Sequence, residues 1–141
     1  MTLPVILSIW GAVLSTVLFG IKIFETYRDR NRLLISYYFG VTQHENQIII
    51  ANPSKTPAMI DYYELFWGRR RLWRTKVLKE IFSPDDCANI TIPSYSKHVL
   101  TFSDEDYFNW DTPSIKNSKI YIRLYVVGGK GPKTILVYPQ R

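Results

Sequence analysis

The first 21 residues of the chain, Met1 to Ile21, contain no Asp, Glu, Lys, Arg or His. As an α-helix they would extend roughly 31 Å, which is close to the thickness of the hydrocarbon core of a bilayer. Helices buried inside soluble proteins are rarely apolar on every face over such a length. The pattern therefore predicts a transmembrane helix, which we assign to residues 1–24.

A cleaved signal peptide is the main competing interpretation of this segment. Such a peptide starts with basic residues and ends at a cleavage site made of small residues. Here no basic residue precedes the apolar run, and a charged segment, residues 22–32, follows it. We therefore expect the helix to be retained as an anchor in the lipid bilayer.

The charges that flank the helix predict its orientation. Lys22, Arg28, Arg30 and Arg32 follow the apolar run, whereas only the α-amine precedes it. Positively charged residues beside a span stay on the cytoplasmic side. We therefore expect a single-pass protein of the cell inner membrane, with the N-terminus outside and the C-terminal domain in the cytosol. The single cysteine, Cys87, agrees with a reducing compartment and excludes an intrachain disulfide.

Four small residues recur along the helix at spacings of three and four. They are Ser8, Gly11, Ala12 and Ser15. Small residues let helices approach closely in lipid, so this stripe predicts packing between membrane helices and a homo-oligomer. The alternative is that these residues are simply common in membrane helices.

Residues 25–32 form a charged connector between the membrane span and the rest of the chain. Glu25 with Arg28, and Asp29 with Arg32, have the i,i+3 spacing of helical ion pairs. Neither proline nor glycine interrupts the connector. It is therefore expected to continue the helix and to link the span stiffly to the domain.

From Leu33 to the C-terminus the pattern changes to short apolar runs separated by turn residues. About seven or eight such runs occur in residues 33–141, with turn signals at a spacing of roughly 8–12 residues. We predict strands at 33–39, 47–51, 58–67, 89–92, 97–102, 119–127 and 133–138, whereas residues 71–77 fit either a strand or a helix. The pattern predicts an antiparallel β-sandwich, in which Ile120, Ile122 and Leu124 face the core and the residues between them face the other side.

Two segments of this domain carry a resemblance to a known class of proteins. Residues 48–67 read IIIANPSKTPAMIDYYELFW, and residues 90–102 read ITIPSYSKHVLTF. The first combines an apolar strand, an asparagine, a short polar turn, a proline and a second apolar strand. This layout resembles that of small bacterial single-pass membrane proteins with a cytosolic β-sandwich domain. The resemblance covers the layout of most of the chain, implies the fold and assigns no active site.

The chain carries little of the chemistry that enzymes and metal sites require. His44 and His98 form no metal-binding pair. The Gly-rich segment 128–134 precedes a strand pattern, whereas a phosphate-binding loop needs a helix after it. Four acidic residues lack the spacing of an EF-hand: Asp104, Glu105, Asp106 and Asp111. We therefore expect no catalytic residue, no metal site, no cofactor and no enzymatic activity.

The strongest local signal is a basic and aromatic segment, residues 67–79, which reads WGRRRLWRTKVLK. Guanidinium groups bind phosphates in pairs, and indole rings stack on bases. We predict that an anionic ligand is bound by Arg69, Arg70, Arg71, Trp73, Arg74 and Lys76. Two alternatives stay open, namely contact with anionic lipid headgroups and simple solubilising charge on an edge strand.

The combined layout is similar to that of membrane effectors of bacterial antiviral systems of the CRISPR and CBASS types. In those effectors a cytosolic domain binds a cyclic nucleotide messenger and the spans perturb the membrane. The similarity implies that this domain binds an anionic ligand, best a (cyclic) oligonucleotide messenger, and signals to the membrane in antiviral defence. The alternative is a membrane-anchored scaffold or accessory subunit that docks a protein partner, since Tyr, Trp and Arg are frequent at interfaces.

Overall fold

The computed structural model describes residues 2–28, 32–40, 45–111 and 115–139. One N-terminal helix, α1 (Leu3–Arg28), precedes a domain of antiparallel strands. The strands are β1 (Leu34–Phe39), β2 (Glu45–Asn52), β3 (Ala58–Arg71), β4 (Arg74–Phe82), β5 (Ile90–Ile92), β6 (Ser96–Ser103), β7 (Lys119–Val126) and β8 (Lys133–Tyr138). The strands form two sheets, so the predicted architecture of one apolar helix followed by an antiparallel β-sandwich is confirmed.

Helix α1 is long and apolar enough to cross a membrane. The most apolar stretch of 18 residues within Leu3–Tyr27 has a mean hydropathy of 2.0, and none of its residues is buried. The hydroxyls of Thr16 and Thr26 each donate a hydrogen bond of 2.8 Å to the carbonyl oxygen four residues earlier. These two hydroxyls are thus paired within the helix, which suits a lipid environment.

The helix continues without a break past residue 24 and ends at Arg28. Lys22 and Glu25 form an ion pair in this last part, with 4.0 Å between Nζ and Oε2. The predicted pairs of the connector involve the Arg28 side chain and Asp29, which lie outside the described residues. The predicted stiffness of the connector is therefore not tested beyond Arg28.

The longest strand, β3, organises the domain. One sheet has the order β1-β2-β6, and the other has the order β4-β3-β7-β8. Strand β5 pairs with the first residues of β3, Ala58–Ile60, on the edge that β4 uses further along. The 14 residues of β3 therefore pair with three of the other four strands of the second sheet, β4, β5 and β7.

The core lies between the two sheets. Ile48 and Ile50 of β2 face Ile120, Ile122 and Leu124 of β7 within one buried cluster, and all five have 0% exposure. Burying an aliphatic side chain of this size contributes about 1.5–3 kcal/mol. The predicted inward face of β7 is therefore confirmed.

The ambiguous segment at residues 71–77 is a β-hairpin. Leu72 and Trp73 form its turn, and Arg74 begins β4. The sequence pattern was ambiguous because β4 is an edge strand with a bulge. Trp67 pairs with Lys79 while Gly68 pairs with Val77, so the residue between them is unpaired and the period of two is lost.

The strand pairings define two ends of the sandwich. The chain leaves α1 and enters the domain at what we call the near end, where Leu34 pairs with Ala51. Three turns share this end because β2 ends there, β6 begins there and β7 ends there: residues 53–57, 93–95 and 127–132. The hairpin turn Leu72–Trp73 lies at the opposite end of β3, with roughly 40 Å of strand between it and the near end.

Tyr63 makes the stability of the domain sensitive to pH in the alkaline range. Its side chain is 9% exposed and stacks on Phe82, with 5.9 Å between ring centroids. Burial raises the pKa of Tyr63 above its ordinary value of 10.0, and the negative charge of Asp106 raises this pKa further. The folded state therefore keeps a proton that the unfolded chain releases, so this stabilisation is complete below about pH 10 and is lost as the pH rises through the folded pKa.

We expect the free energy of unfolding to fall as the pH rises above about 10, and Tyr63→Phe to make this fall shallower. Urea unfolding of the full chain in detergent at a series of pH values measures the slope of the free energy of unfolding against pH for the wild type and for Tyr63→Phe. The exposed Tyr95 offers the matched control, Tyr95→Phe, which should keep the wild-type slope. Identical slopes for Tyr63→Phe and the wild type would contradict this assignment.

Candidate functional site

An open concavity of about 900 Å³ lies on the outer face of the second sheet. Its floor comes from β7 and β8, where Tyr121 pairs with Leu136 and Arg123 pairs with Thr134. These residues alternate with the core-facing ones, so their side chains project away from the core. The β3–β4 hairpin supplies a wall of this concavity.

The concavity is strongly basic. Five cationic residues line it: Arg69, Arg70, Arg74, Lys119 and Arg123. Among the described residues of its lining none is acidic, and the remaining residues are aromatic, apolar or neutral polar. Guanidinium groups present several donors in a planar fork that matches phosphate oxygens. The lining is therefore suited to an anion with several oxygens.

Gly68 lets the hairpin leave the sheet beside this floor. A Cβ atom at Gly68 would lie 3.0 Å from the Lys76 carbonyl oxygen and 3.0 Å from the Phe66 ring. It would also lie 3.1 Å from Tyr121, which stacks on Phe66 with 6.0 Å between ring centroids. Only glycine fits there without displacing the stack. Just beyond it, Arg69 donates a hydrogen bond of 2.6 Å to the Lys116 carbonyl oxygen, which fixes this guanidinium at the edge of the concavity.

Arg123 is held in place at the floor. It forms an ion pair with Glu64, with 2.9 Å between Nη1 and Oε2, and its guanidinium lies 5.0 Å from the centre of the Phe66 ring. The Tyr125 hydroxyl donates to the other oxygen of Glu64 at 3.2 Å. About a quarter of each side chain of the Arg123–Glu64 pair is exposed. Glu64 therefore orients Arg123 and neutralises part of its charge.

Neutralising Glu64 is expected to strengthen the binding of anions. Glu64→Gln keeps the shape of the side chain and removes one negative charge beside Arg123. Since an interaction of about 1 kcal/mol corresponds to a fivefold change, affinity for inorganic phosphate or an oligonucleotide should rise by roughly threefold to fivefold at low salt. Isothermal titration calorimetry of the wild type and of Glu64→Gln measures this change in affinity. Weaker binding by Glu64→Gln would show that Glu64 matters for positioning Arg123 more than for its charge.

The structure divides the six residues that the sequence predicts as ligand-binding into two sets. Arg69, Arg70, Trp73 and Arg74 line the concavity together. Arg71 and Lys76 are absent from that lining and border a second depression of about 490 Å³ along the hairpin turn, which shares Trp73, Arg74 and Thr75 with the concavity. Arg71 is the last residue of β3 before the turn, so the turn and not strand alternation separates it from Arg69 and Arg70.

Sequence reasoning missed the contribution of β7 and β8 to this concavity. Tyr121, Arg123 and Lys119 lie about 50 residues after the hairpin, and Thr134 lies further still. The signal that was present is the period of two in β7, which places Tyr121 and Arg123 on the face opposite the core. The sequence did not show that β7 is the neighbour of β3.

No protein-family model matches this chain, and a search of curated proteins found no match. The resemblance of its layout to small bacterial membrane proteins and to antiviral membrane effectors therefore stays a prediction.

Proposed function

We propose that this protein is a non-enzymatic, single-pass membrane protein whose β domain binds an anionic, phosphate-bearing ligand and signals to the membrane through α1. A (cyclic) oligonucleotide messenger is the ligand class that fits best, and antiviral defence is the role that such a ligand suggests. The observation that carries the proposal is the concavity of about 900 Å³, with five basic residues in its described lining and no acidic one.

The size and chemistry of the concavity favour a nucleotide over a simple anion. Its volume lies within the range of about 300–1,000 Å³ that is usual for ligand pockets. Trp73 at its edge is 95% exposed and therefore has a free indole face. Stacking of a base on such a ring contributes about 1–3 kcal/mol, and this gain is absent for inorganic phosphate. Several arginines beside an indole thus match alternating phosphates and bases.

The position of the hairpin favours a ligand from solution over the headgroups of the membrane that α1 crosses. The domain joins α1 at the near end, next to Leu34. The turn Leu72–Trp73 lies at the opposite end of β3. With the near end next to the bilayer, the hairpin is open to the aqueous phase.

The proposal includes the inner-membrane topology that the charges predict, with the domain in the cytosol. It also includes homo-oligomers that pack through Ser8, Gly11, Ala12 and Ser15, since a side chain at Gly11 would meet no atom within 4 Å and this face of α1 is open to another helix. Ligand binding to several domains would then change how their helices pack in the bilayer. Such a relay needs no catalytic group.

The proposal is tested by ligand binding to the full chain in lipid nanodiscs. Fluorescent cyclic dinucleotides, cyclic trinucleotides and linear oligonucleotides are titrated at several salt concentrations between about 50 and 300 mM. If three phosphates are contacted, the logarithm of the association constant should fall against the logarithm of the salt concentration with a slope of about −2. Absence of binding by all these probes, or an affinity that does not change with salt, would contradict the proposal.

A protein partner is the second candidate, and one observation favours it. Leu72 is 84% exposed and Trp73 is 95% exposed at the tip of the hairpin. Exposed tryptophans flanked by arginines are typical of the residues that dominate protein interfaces. Binding of this kind would depend on Leu72 and Trp73 and only weakly on salt, so the salt titration above separates the two candidates.

A further inference from the structure

We propose that the near end of the β domain rests on the anionic surface of the bilayer that α1 spans. Tyr95 and Val127 would lie at the level of the headgroups, and lysines of the near-end turns would face lipid phosphates. This contact would fix the orientation of the domain and leave the β3–β4 hairpin facing away from the bilayer. It does not depend on the identity of the ligand.

The length of the connection keeps the near end close to the membrane. Helix α1 ends at Arg28, and Leu33 is already buried in the core of the domain, with 7% exposure. The five residue steps between them reach at most about 18 Å even when fully extended. Since β1 begins directly after Leu33, the near end is the part of the domain nearest to the end of α1 along the chain.

Exposed apolar side chains lie at this end of the domain. Tyr95 is 69% exposed, Val127 is 54% exposed and Met59 is 40% exposed. The backbone N–H of Val127 donates to the Met59 carbonyl oxygen at 2.9 Å, and that of Tyr95 donates to the Ser54 carbonyl oxygen at 3.3 Å. The first bond ties the turn at 127–132 to the start of β3, and the second joins the turns at 93–95 and 53–57. Tyrosine and aliphatic side chains together are suited to the membrane–water interface.

The backbone of Tyr95 supports a contact outside the domain. Its φ angle is +53°, in the left-handed region that glycine adopts without cost and that disfavours residues with a side chain. The exposed side chain of Tyr95 gains little from the core, so the domain itself gives no reason for a tyrosine here. Strained residues of this kind occur often where a protein binds another molecule.

The charge of the near-end turns complements an anionic surface. Residues 53–57, 93–95 and 127–132 include Lys55 and Lys130 but no Asp or Glu, and Lys97 follows the second turn. Basic residues near an anionic bilayer are attracted to its surface. Asp61, Asp85 and Asp86 lie outside the three turns, and the Asp61 carbonyl oxygen accepts a hydrogen bond from the Ala88 N–H.

Förster resonance energy transfer from a dye on the domain to acceptor dyes on the lipid headgroups tests this orientation. Cys87→Ala provides a full chain without cysteine, into which Val127→Cys or Leu72→Cys introduces one dye. An apolar dye at position 127 preserves the apolar character of the site. The chain is placed in nanodiscs with acceptor-labelled headgroups and about 30% phosphatidylglycerol.

We expect transfer from position 127 to exceed transfer from position 72 at least about twofold, because roughly 40 Å of strand separates the two positions. Equal transfer, or stronger transfer from position 72, would overturn the proposal.

Two sets of variants separate a specific contact from general attraction by charge. Lys55→Glu, Lys97→Glu and Lys130→Glu together should lower transfer from position 127 in anionic nanodiscs to the value in phosphatidylcholine alone. The matched control, Arg71→Glu, Lys76→Glu and Lys79→Glu, changes the net charge equally and should leave this transfer unchanged. Tyr95→Gly relieves the backbone, so it should reduce transfer without lowering the free energy of unfolding. If both triple variants reduce transfer alike, the near end has no special role and the proposal fails.

Discussion

Replacing Asn52 with alanine is expected to lower the free energy of unfolding by about 4 kcal/mol, a large part of the stability of an ordinary domain. The side chain of Asn52 is 1% exposed, and its Nδ2 lies 2.9 Å from the Thr56 carbonyl oxygen and 3.1 Å from those of Ile92 and Pro93. Its Oδ1 accepts a hydrogen bond from the Ser54 N–H at 3.1 Å. Alanine would leave these backbone groups without the amide, at about 1–3 kcal/mol for each one that water does not reach.

Urea unfolding of the full chain in detergent, followed by circular dichroism, measures this loss. Asn52→Asp should cost at least as much, because it turns a carboxylate oxygen toward carbonyl oxygens that need a donor. Ser96→Ala is the matched control, since it also removes a hydrogen bond to the Pro93 carbonyl oxygen, but one that is exposed to solvent. We expect the control to cost about 0.5 kcal/mol. A loss below about 1 kcal/mol for Asn52→Ala would show that the amide does not hold these turns together.

The role of Asn52 explains why the sequence pattern around it predicted the fold. The asparagine ends β2, and the turn after it leads into β3, the longest strand of the other sheet. Its contacts with Ile92 and Pro93 join this turn to the one between β5 and β6. Local turn chemistry and the period of two were sufficient to locate β8 with the bounds found in the structure. They could not show that β5 shares an edge of β3 with β4, since this pairing joins residues about 30 positions apart.

The site was less predictable than the fold because half of it comes from distant strands. Arg69 and Arg70 belong to a segment whose composition is conspicuous in the sequence. Arg123 has no unusual neighbours in its own strand, and its place beside the hairpin follows from the pairing of β3 with β7. The sequence also could not separate Arg70 from Arg71, because the bulge near Gly68 and the position of the turn decide which face each arginine meets.

Removing the three arginines of the hairpin wall should abolish most ligand binding. Arg69→Ala, Arg70→Ala and Arg74→Ala together are expected to weaken the affinity for an oligonucleotide at least about 100-fold, since each exposed charge-assisted contact contributes about 1 kcal/mol or more. All three side chains are exposed, so the fold should be retained. Titration of the variant in nanodiscs should also give a weaker salt dependence, because fewer counterions are released from the ligand.

The hairpin itself offers the control for this experiment. Arg71→Ala, Lys76→Ala and Lys79→Ala together remove the same three charges, but these residues do not line the concavity. If binding depends on direct contacts, this second variant should lose less than about threefold in affinity at physiological salt, where charges more than roughly 8 Å apart are largely screened. If both variants lose affinity equally, the ligand is attracted by the overall charge of the hairpin, and the concavity is not its binding site. Only a large difference between the two variants supports recognition of the ligand by the wall of the concavity.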